Sequence, residues 1–356
     1  MPDGRTTEET VRLAFVTQAK ACQSLGSPFT AGLCALAAER LTADDPVGEK
    51  ILSWPGDPSP HGDSVPLRLA GALHALVLAR ADPELVSAYP PHTAEADDLW
   101  DAVEHACRTH APFILDRLKS PPQTNEVRRS AVLLPGFLTI SSLYRKPLVL
   151  SEVGASAGLN LYWDHYAYRL GEMSWALRPS PVTLAPEWKG PTPPNIAVHV
   201  TSRAGCDLNP LAPARDEDAM RLLSYIWADQ TDRLERTRLA LAIAANHRGV
   251  DKADAVDWLE QRLQPVHADQ VHVIYHTIAW QYLPKSSQQK GEALIAAAGE
   301  RATESAPLAR LQMEADDQKH GAALTLQVWP SGEKHLIGRA DFHGRWVEWT
   351  GWPGLH

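Results

Sequence analysis

Through about the first 145 residues, apolar positions recur at helical spacing and nowhere alternate as they would along a half-buried strand. Thr6 or Thr7 is placed to cap a first helix, with Glu8 and Glu9 in its first turn and Val11, Phe15 and Cys22 on one face. Ser27-Pro28 opens a second helix, a cap residue followed by proline at the first helical position. Residues 65–80 are apolar on nearly every side, so this third helix has to be buried or packed at an interface. A fourth is predicted over 94–119, and a fifth from near Asn125.

From residue 146 the pattern changes. Residues 147–153 form a short β-rich run that stops at G-A-S-A-G and continues into a helix-compatible stretch, giving strand, glycine-rich turn, helix. Six prolines make 171–195 irregular. A strand over 196–202, a long helix over 216–246, a strong strand over 271–276 and a helix over 288–305 follow. Three closing strands are predicted over 308–313, 323–329 and 337–349. Strands alternating with helices predict an α/β sheet, mostly parallel, and the successive strands at the end predict an antiparallel edge. The expected division is a helical region over 1–145 and a sheet domain over 146–356 with an irregular insertion at 171–195.

Composition narrows the class. With 356 residues the chain has room for two domains, and 44% hydrophobic with 22% charged residues is ordinary for a globular protein. A net charge of −9 argues against nucleic-acid and acidic-membrane partners. The opening M-P-D-G-R-T-T-E-E-T has no apolar core, so no signal peptide is expected, and the apolar run at 131–143 is too short to cross a bilayer. Four well-separated cysteines suggest neither disulfides nor a zinc site, and the fifteen histidines show no metal-binding spacing. A soluble, reduced, cytoplasmic protein with no metal is expected.

The chemistry gathers around Glu152-Val153-Gly154-Ala155-Ser156-Ala157-Gly158 at a strand end. Glycines suit a turn where a cofactor approaches the backbone and a helix starts tightly against a strand, with Gly154 making the turn and Gly158 allowing the packing. Glu152 offers an acceptor for a ligand ammonium, as in S-adenosylmethionine, and suits a pyrophosphate poorly; the full G-x-G-x-x-G spacing is absent. The same letters spell G-x-S-x-G, the nucleophile elbow of serine hydrolases, with Ser156 as nucleophile. Against this stand the long helical stretch before it and the lack of an H-G-G-G motif. A tight turn with no ligand is the third reading.

Asp207 follows the next strand and can accept both hydrogen bonds of a ribose diol. Its distance from Gly154 exceeds the usual ~20 residues, so an insertion must be assumed. Asp164 and Glu172 are nearer but sit in helix or loop. Asp254 can accept from an adenine amino group or simply cap the helix that follows. His276, Trp280 and Tyr282 lie just past the strong strand, where open α/β sheets bind ligands, although Trp280 and Tyr282 also suit core packing. Asn125, Glu126 and Arg129 share one face of a helix start and can hold a substrate or the cofactor's amino-acid end, or form a cap with an ion pair. Trp227 and Asp229, with Gln230 and Arg233, interrupt the long helix with a polar patch that either reaches the cleft or is solvated. His343 is a base candidate or a turn histidine.

The segments E-V-G-A-S-A-G-L-N-L, G-C-D-L-N-P, K-A-D-A-V-D-W-L and V-I-Y-H-T-I-A-W-Q-Y-L, in that order, resemble motifs of Rossmann-like S-adenosylmethionine-dependent methyltransferases over about residues 146–350. With P-L-R-L-A-G-A-L-H-A-L, Q-T-N-E-V-R-R-S-A, Y-I-W-A-D-Q and F-H-G-R-W-V-E-W, the whole chain resembles a bacterial domain-of-unknown-function family numbered 2332. The resemblance implies a Rossmann-like methyltransferase sheet. It places the cofactor on Glu152, Gly154, Ser156, Gly158, Asp207 and Asp254. A small-molecule acceptor would lie near Asn125, Glu126, Arg129, Trp227, Asp229, Trp280, His276 and Tyr282. G-A-S-A-G departs from the commoner G-x-G-x-G, which leaves room for cofactor binding without methyl transfer, as in a scaffold. The helical region is expected to cover the strand ends as a lid, or to pair two copies in a homodimer.

Overall fold

The computed structural model describes residues 6–318 and 320–355. Residues 1–5, part of the stretch read as lacking a signal peptide, lie outside the described residues. Along the chain come helices α1 (Thr7–Ser24), α2 (Pro28–Arg40), α3 (Pro46–Leu52), α4 (Val65–Leu78), α5 (Pro83–Ala88), α6 (Ala96–Thr109), α7 (Ala111–Leu118) and α8 (Arg129–Tyr144). Strand β1 (Leu148–Val153) is followed by a 3-10 helix (Leu159–His165) and short strands β2 (Ala167–Leu170), β3 (Met173–Trp175), β4 (Thr183–Leu184) and β5 (Glu187–Lys189). Then come β6 (Val200–Asp207), α9 (Asp216–Ser224), α10 (Thr231–Ala244), β7 (Asp251–Lys252), α11 (Ala255–Arg262), β8 (Val271–Thr277) and α12 (Lys285–Glu300). Strands β9 (Leu308–Glu314), β10 (Ala322–Trp329), β11 (Lys334–Ala340) and β12 (Trp346–Trp349) close the chain. No helix among the described residues is long and apolar enough to cross a membrane.

The chain divides into two compact units. The helical unit takes the residues up to Thr124 together with Asp216–Arg238. Its first helix carries the expected cap as a capping box, in which Glu9 N donates to Thr6 Oγ1 at 3.2 Å and Thr6 N donates to Glu9 Oε2 at 2.8 Å. The all-round apolar α4 is buried within this unit. Leu69 and Leu73 join a core with Phe15, Ile51 and Ile114, and a Cβ on Gly71 would lie 2.5 Å from the Tyr225 ring.

The sheet unit takes Asn125–Arg215 and the residues from Leu239 onward. The division at 145/146 read from the sequence therefore shifts twice. Residues 125–144 join the sheet because α8 lies along it, with Gly136 against Leu311 and the Phe137 ring stacked on Trp163 at 4.2 Å. Residues 216–238 join the helices because Tyr225 and Ala228 pack there and Asp229 caps α2, accepting from Ser27 Oγ at 2.5 Å and from Phe29 N at 3.0 Å. The predicted long helix is accordingly two, α9 and α10, broken at Trp227–Gln230.

The main sheet has nine strands in the order β5-β12-β11-β10-β9-β8-β1-β6-β7. Its five parallel strands β7, β6, β1, β8 and β9 stand in doubly wound order, so the direction of winding reverses between β1 and β8. Strands β10, β11 and β12 continue as an antiparallel meander, so the last predicted strand is in fact two. On the opposite face from α8, Trp258 and Leu259 of α11 and Ile295 of α12 pack with Val153, Cys206 and Ile274.

Two expectations near the site change. The stretch after G-A-S-A-G is a 3-10 helix, with Tyr162 outside helical φ/ψ. Three of its carbonyls also accept from side chains: Tyr166 Oη donates to Leu159 O at 2.6 Å, Arg203 Nη1 to Leu161 O at 2.6 Å and Tyr168 Oη to Trp163 O at 2.6 Å. The proline-rich 171–195 contains β3, β4 and β5, of which β3 and β4 flank β2 in a small second sheet and β5 edges the main one.

Candidate functional site

The carboxyl ends of β1, β6 and β7 bring Glu152, Asp207 and Asp254 alongside one another. β6 pairs with β1 up to Val153↔Cys206, β7 pairs with β6 at Asp207↔Lys252, and Ala253 N donates to Asp207 O at 3.1 Å. Asp207 ends its strand and does not follow it, because β6 runs to 207. Its polar residues Thr201, Ser202 and Arg203 disguise it in the sequence.

The glycine-rich turn is held from inside. Gly154 N and Ala155 N both donate to Cys206 O, at 2.9 and 3.0 Å. Ser156 N donates to Asp207 Oδ2 at 2.9 Å, and Leu159 N to Asn125 Oδ1 at 2.9 Å. These donors are spent within the fold, so the turn is no phosphate cradle. Gly154 (φ +71°) makes the turn as expected, but a Cβ there would lie 2.5 Å from the Ala279 side chain. Its glycine is demanded by the neighbouring loop and the backbone, independently of any ligand. Gly158 has φ +74° and lies close to Val250.

Glu152 is buried at 1% exposure, with Tyr275 Oη 3.4 Å away as its hydrogen-bond donor. Burial pushes its carboxyl well above the ordinary 4.5; the Tyr275 hydrogen bond and the Arg129 charge oppose this weakly. The unfolded chain releases this proton near 4.5 while the native state keeps it to higher pH. Stability conferred by the buried neutral carboxyl is therefore present at acid pH and falls as pH rises above 4.5 toward the raised native value. We expect Glu152→Gln to flatten this decline and to be more stable than the parent at neutral pH, as chemical denaturation across pH will show; equal slopes in both proteins would refute it.

Asn125, Glu126 and Arg129 come together at the same strand ends. Glu126 O accepts from Asn160 Nδ2 at 3.3 Å, and Arg129 donates to Thr277 O at 3.2 Å and Phe342 O at 3.0 Å. Asp254 caps α11, its Oδ1 accepting from Val256 N at 2.8 Å. Trp227 and Asp229 belong to the helical unit, and Asp229 is engaged in capping α2.

His276 is not arranged as a base. It is fully buried, with Nδ1 2.7 Å from Glu314 Oε1 and Nε2 3.2 Å from Arg310 Nη2. A guanidinium only donates, so Nε2 accepts and the proton sits on Nδ1 in a neutral ring; burial lowers its pKa in the same sense. Arg310 is itself forked by Glu292, and Trp280 stacks on His276 at 4.8 Å, so Trp280 packs the core and lines no open site. Tyr282 is 76% exposed, and His343 sits in a turn with its N–H on Asp341 Oδ1 at 3.0 Å. Asp164 is spent on Arg203, with contacts of 2.6 and 3.0 Å. Neither Glu314 nor Arg310 is among the residues singled out from the sequence; the available signal is an acid at the end of a buried strand, as Glu314 is in β9. Among the described residues no group of three or more His, Cys, Asp or Glu could hold a metal ion.

Ser156 has the positive φ (+54°) of a strained turn, but no α-helix follows it and both nitrogens of His276 are taken.

These features define an α/β protein with a doubly wound parallel sheet and acids at its strand ends. Residues 12–349 match the DUF2332 family, described as an uncharacterized protein conserved in bacteria, and the chain belongs to it. No curated protein and no solved structure matches the chain.

Proposed function

We propose that the strand ends beside the winding reversal bind S-adenosylmethionine and that the protein is a methyltransferase acting on a small-molecule acceptor. The observation that carries this reading is the row of Glu152, Asp207 and Asp254 at three neighbouring parallel strand ends, beside a glycine turn whose donors are already used. Such a site suits a cationic nucleoside and disfavours a pyrophosphate. Asp207 gives one lone pair each to Ser156 N and Asn209 N, leaving two of its roughly four acceptor positions for a ribose diol. Glu152 ionises against an arriving ammonium. When bound, S-adenosylmethionine supplies an electrophilic methyl group. The chain's part is to orient and to exclude water, so a dedicated base is not required.

S-adenosylhomocysteine should raise the melting temperature, since a ligand bound only by the folded state stabilises it by about 2.7 kcal/mol at a hundredfold excess over Kd. The rise should vanish in Asp207→Ala. Because Glu152 releases its proton on meeting the ammonium, the affinity should increase with pH in the parent and lose that dependence in Glu152→Gln. No shift with millimolar ligand, together with covalent labelling of Ser156 by a fluorophosphonate, would transfer the assignment to a serine hydrolase. Binding with no turnover across a broad acceptor panel would leave a cofactor-binding scaffold.

A further inference from the structure

We propose that a second cleft in the sheet unit is a binding site for a small zwitterion of the α-amino acid type. The cleft encloses about 290 Å³ between the start of α8, the start of β5 and the turn joining β11 to β12, and is lined by Arg128, Ala131, Leu184, Glu187, Gly344 and Arg345. Strand directions place it on the carboxyl side of the sheet. β11 runs parallel to β8 and ends at Ala340, while β12 and β5 begin there. Its volume is at the small end of ligand pockets, the size of an amino acid and not of a nucleotide.

The charges choose the ligand. Arg345 forks Asp341, with Nε–Oδ1 and Nη2–Oδ2 both 2.9 Å, which leaves three of its five N–H donors unspent on that carboxylate. Arg128 and Glu187 form no ion pair among the described residues, with each other or with any third group. Two opposite charges thus face one cleft without meeting. A simple anion would lie against Glu187 and a simple cation against the two arginines. A molecule carrying both charges satisfies them together, its carboxylate on the guanidinium groups and its ammonium on Glu187. Ala131 and Leu184 leave an apolar wall for a side chain. Gly344, at φ +70°, holds the turn against α8, where a Cβ would lie 2.7 Å from Arg128 O. Arg129, the next residue, bonds both to Phe342 O in that turn and to Thr277 O at the end of β8. Under the methyl-transfer reading the cleft therefore holds the acceptor; the site itself does not depend on that reading.

Saturation-transfer NMR on the full chain with millimolar L-alanine, propionate, propylamine and inorganic phosphate tests the assignment. L-alanine should give the strongest signal. It should weaken by about tenfold or more in Arg128→Ala and in Glu187→Ala, as expected for loss of a charge-assisted contact. Glu152→Gln should bind L-alanine as the parent does. An L-alanine signal that survives both cleft substitutions, binding of phosphate or propionate in preference to L-alanine, or no binding by any of the four would each overturn the proposal. A chain that binds L-alanine but not S-adenosylhomocysteine refutes the cofactor reading alone, and the reverse refutes the cleft alone.

Discussion

Gly154→Val should lose stability outright, and should not fold normally around an obstructed site. Two costs fall on the same atom. A branched residue at φ +71° occupies a backbone region costing ~1–3 kcal/mol, and its Cβ lies 2.5 Å from the Ala279 side chain, where overpacking adds ~1–3 kcal/mol. At about 2–4 °C per kcal/mol for a unit of this size, the melting temperature of the sheet unit should fall by roughly 4–24 °C. Thermal unfolding followed by tryptophan fluorescence measures this. An unchanged midpoint with a lost response to S-adenosylhomocysteine would instead mean that the glycine clears a path for the ligand.

Glu314→Ala should be of comparable severity. Glu314 Oε1 accepts from the neutral His276 ring at 2.7 Å, from Ala279 N at 3.0 Å and from Trp280 N at 3.1 Å, and Ala279 is the residue seated against Gly154. Removing the carboxylate leaves these three donors without their acceptor, at a cost of about 1–3 kcal/mol for each buried group left unpaired. Glu314→Gln retains an oxygen acceptor and should lose less. Burial alone would raise the Glu314 carboxyl, but the His276 hydrogen bond and the two backbone N–H groups outweigh it and hold it below the ordinary 4.5. The stability it confers is present above 4.5 and is lost as pH falls through the native value. The Gln variant should therefore show a shallower loss of stability on acidification. Parallel acid limbs in the two proteins would show that this carboxyl contributes nothing to the transition.

What could be read from the sequence follows burial. β1 and β8 are buried along their whole length and are rich in Val, Leu and Ile, so both are legible in the sequence within a residue or two. β6 is half-exposed and polar for most of its length, so the apolar pattern points to a strand about four residues early and leaves Asp207 in the loop beyond it. The glycine turn was visible, but not the reason for its glycines, because Ala279 lies 125 residues further on. Arg129 was expected at the strand ends and lies there, yet its bond to Phe342 spans 213 residues and leaves no mark in local spacing. Asp229 and Asp254 show the opposite difficulty. An aspartate before a helix and an aspartate beside a ligand look alike in sequence, and here both cap helices.

The edges of the large sheet limit how copies of this chain can associate. A strand left open at an edge invites a second molecule to extend the ladder. Here one outer strand, β7, is two residues long and the other, β5, is three, with Pro186 and Pro191 close on either side and Lys189 engaged to Glu348 at 3.0 Å. Neither terminal strand is long enough by itself to template a neighbour; the open stretch is on β6, where residues 200–205 pair with β1 on one side and β7 begins only opposite Cys206. A second copy extending the main ladder would therefore have to join along this part of β6, where Thr201 and Ser202 are exposed, and not at the two short outer strands.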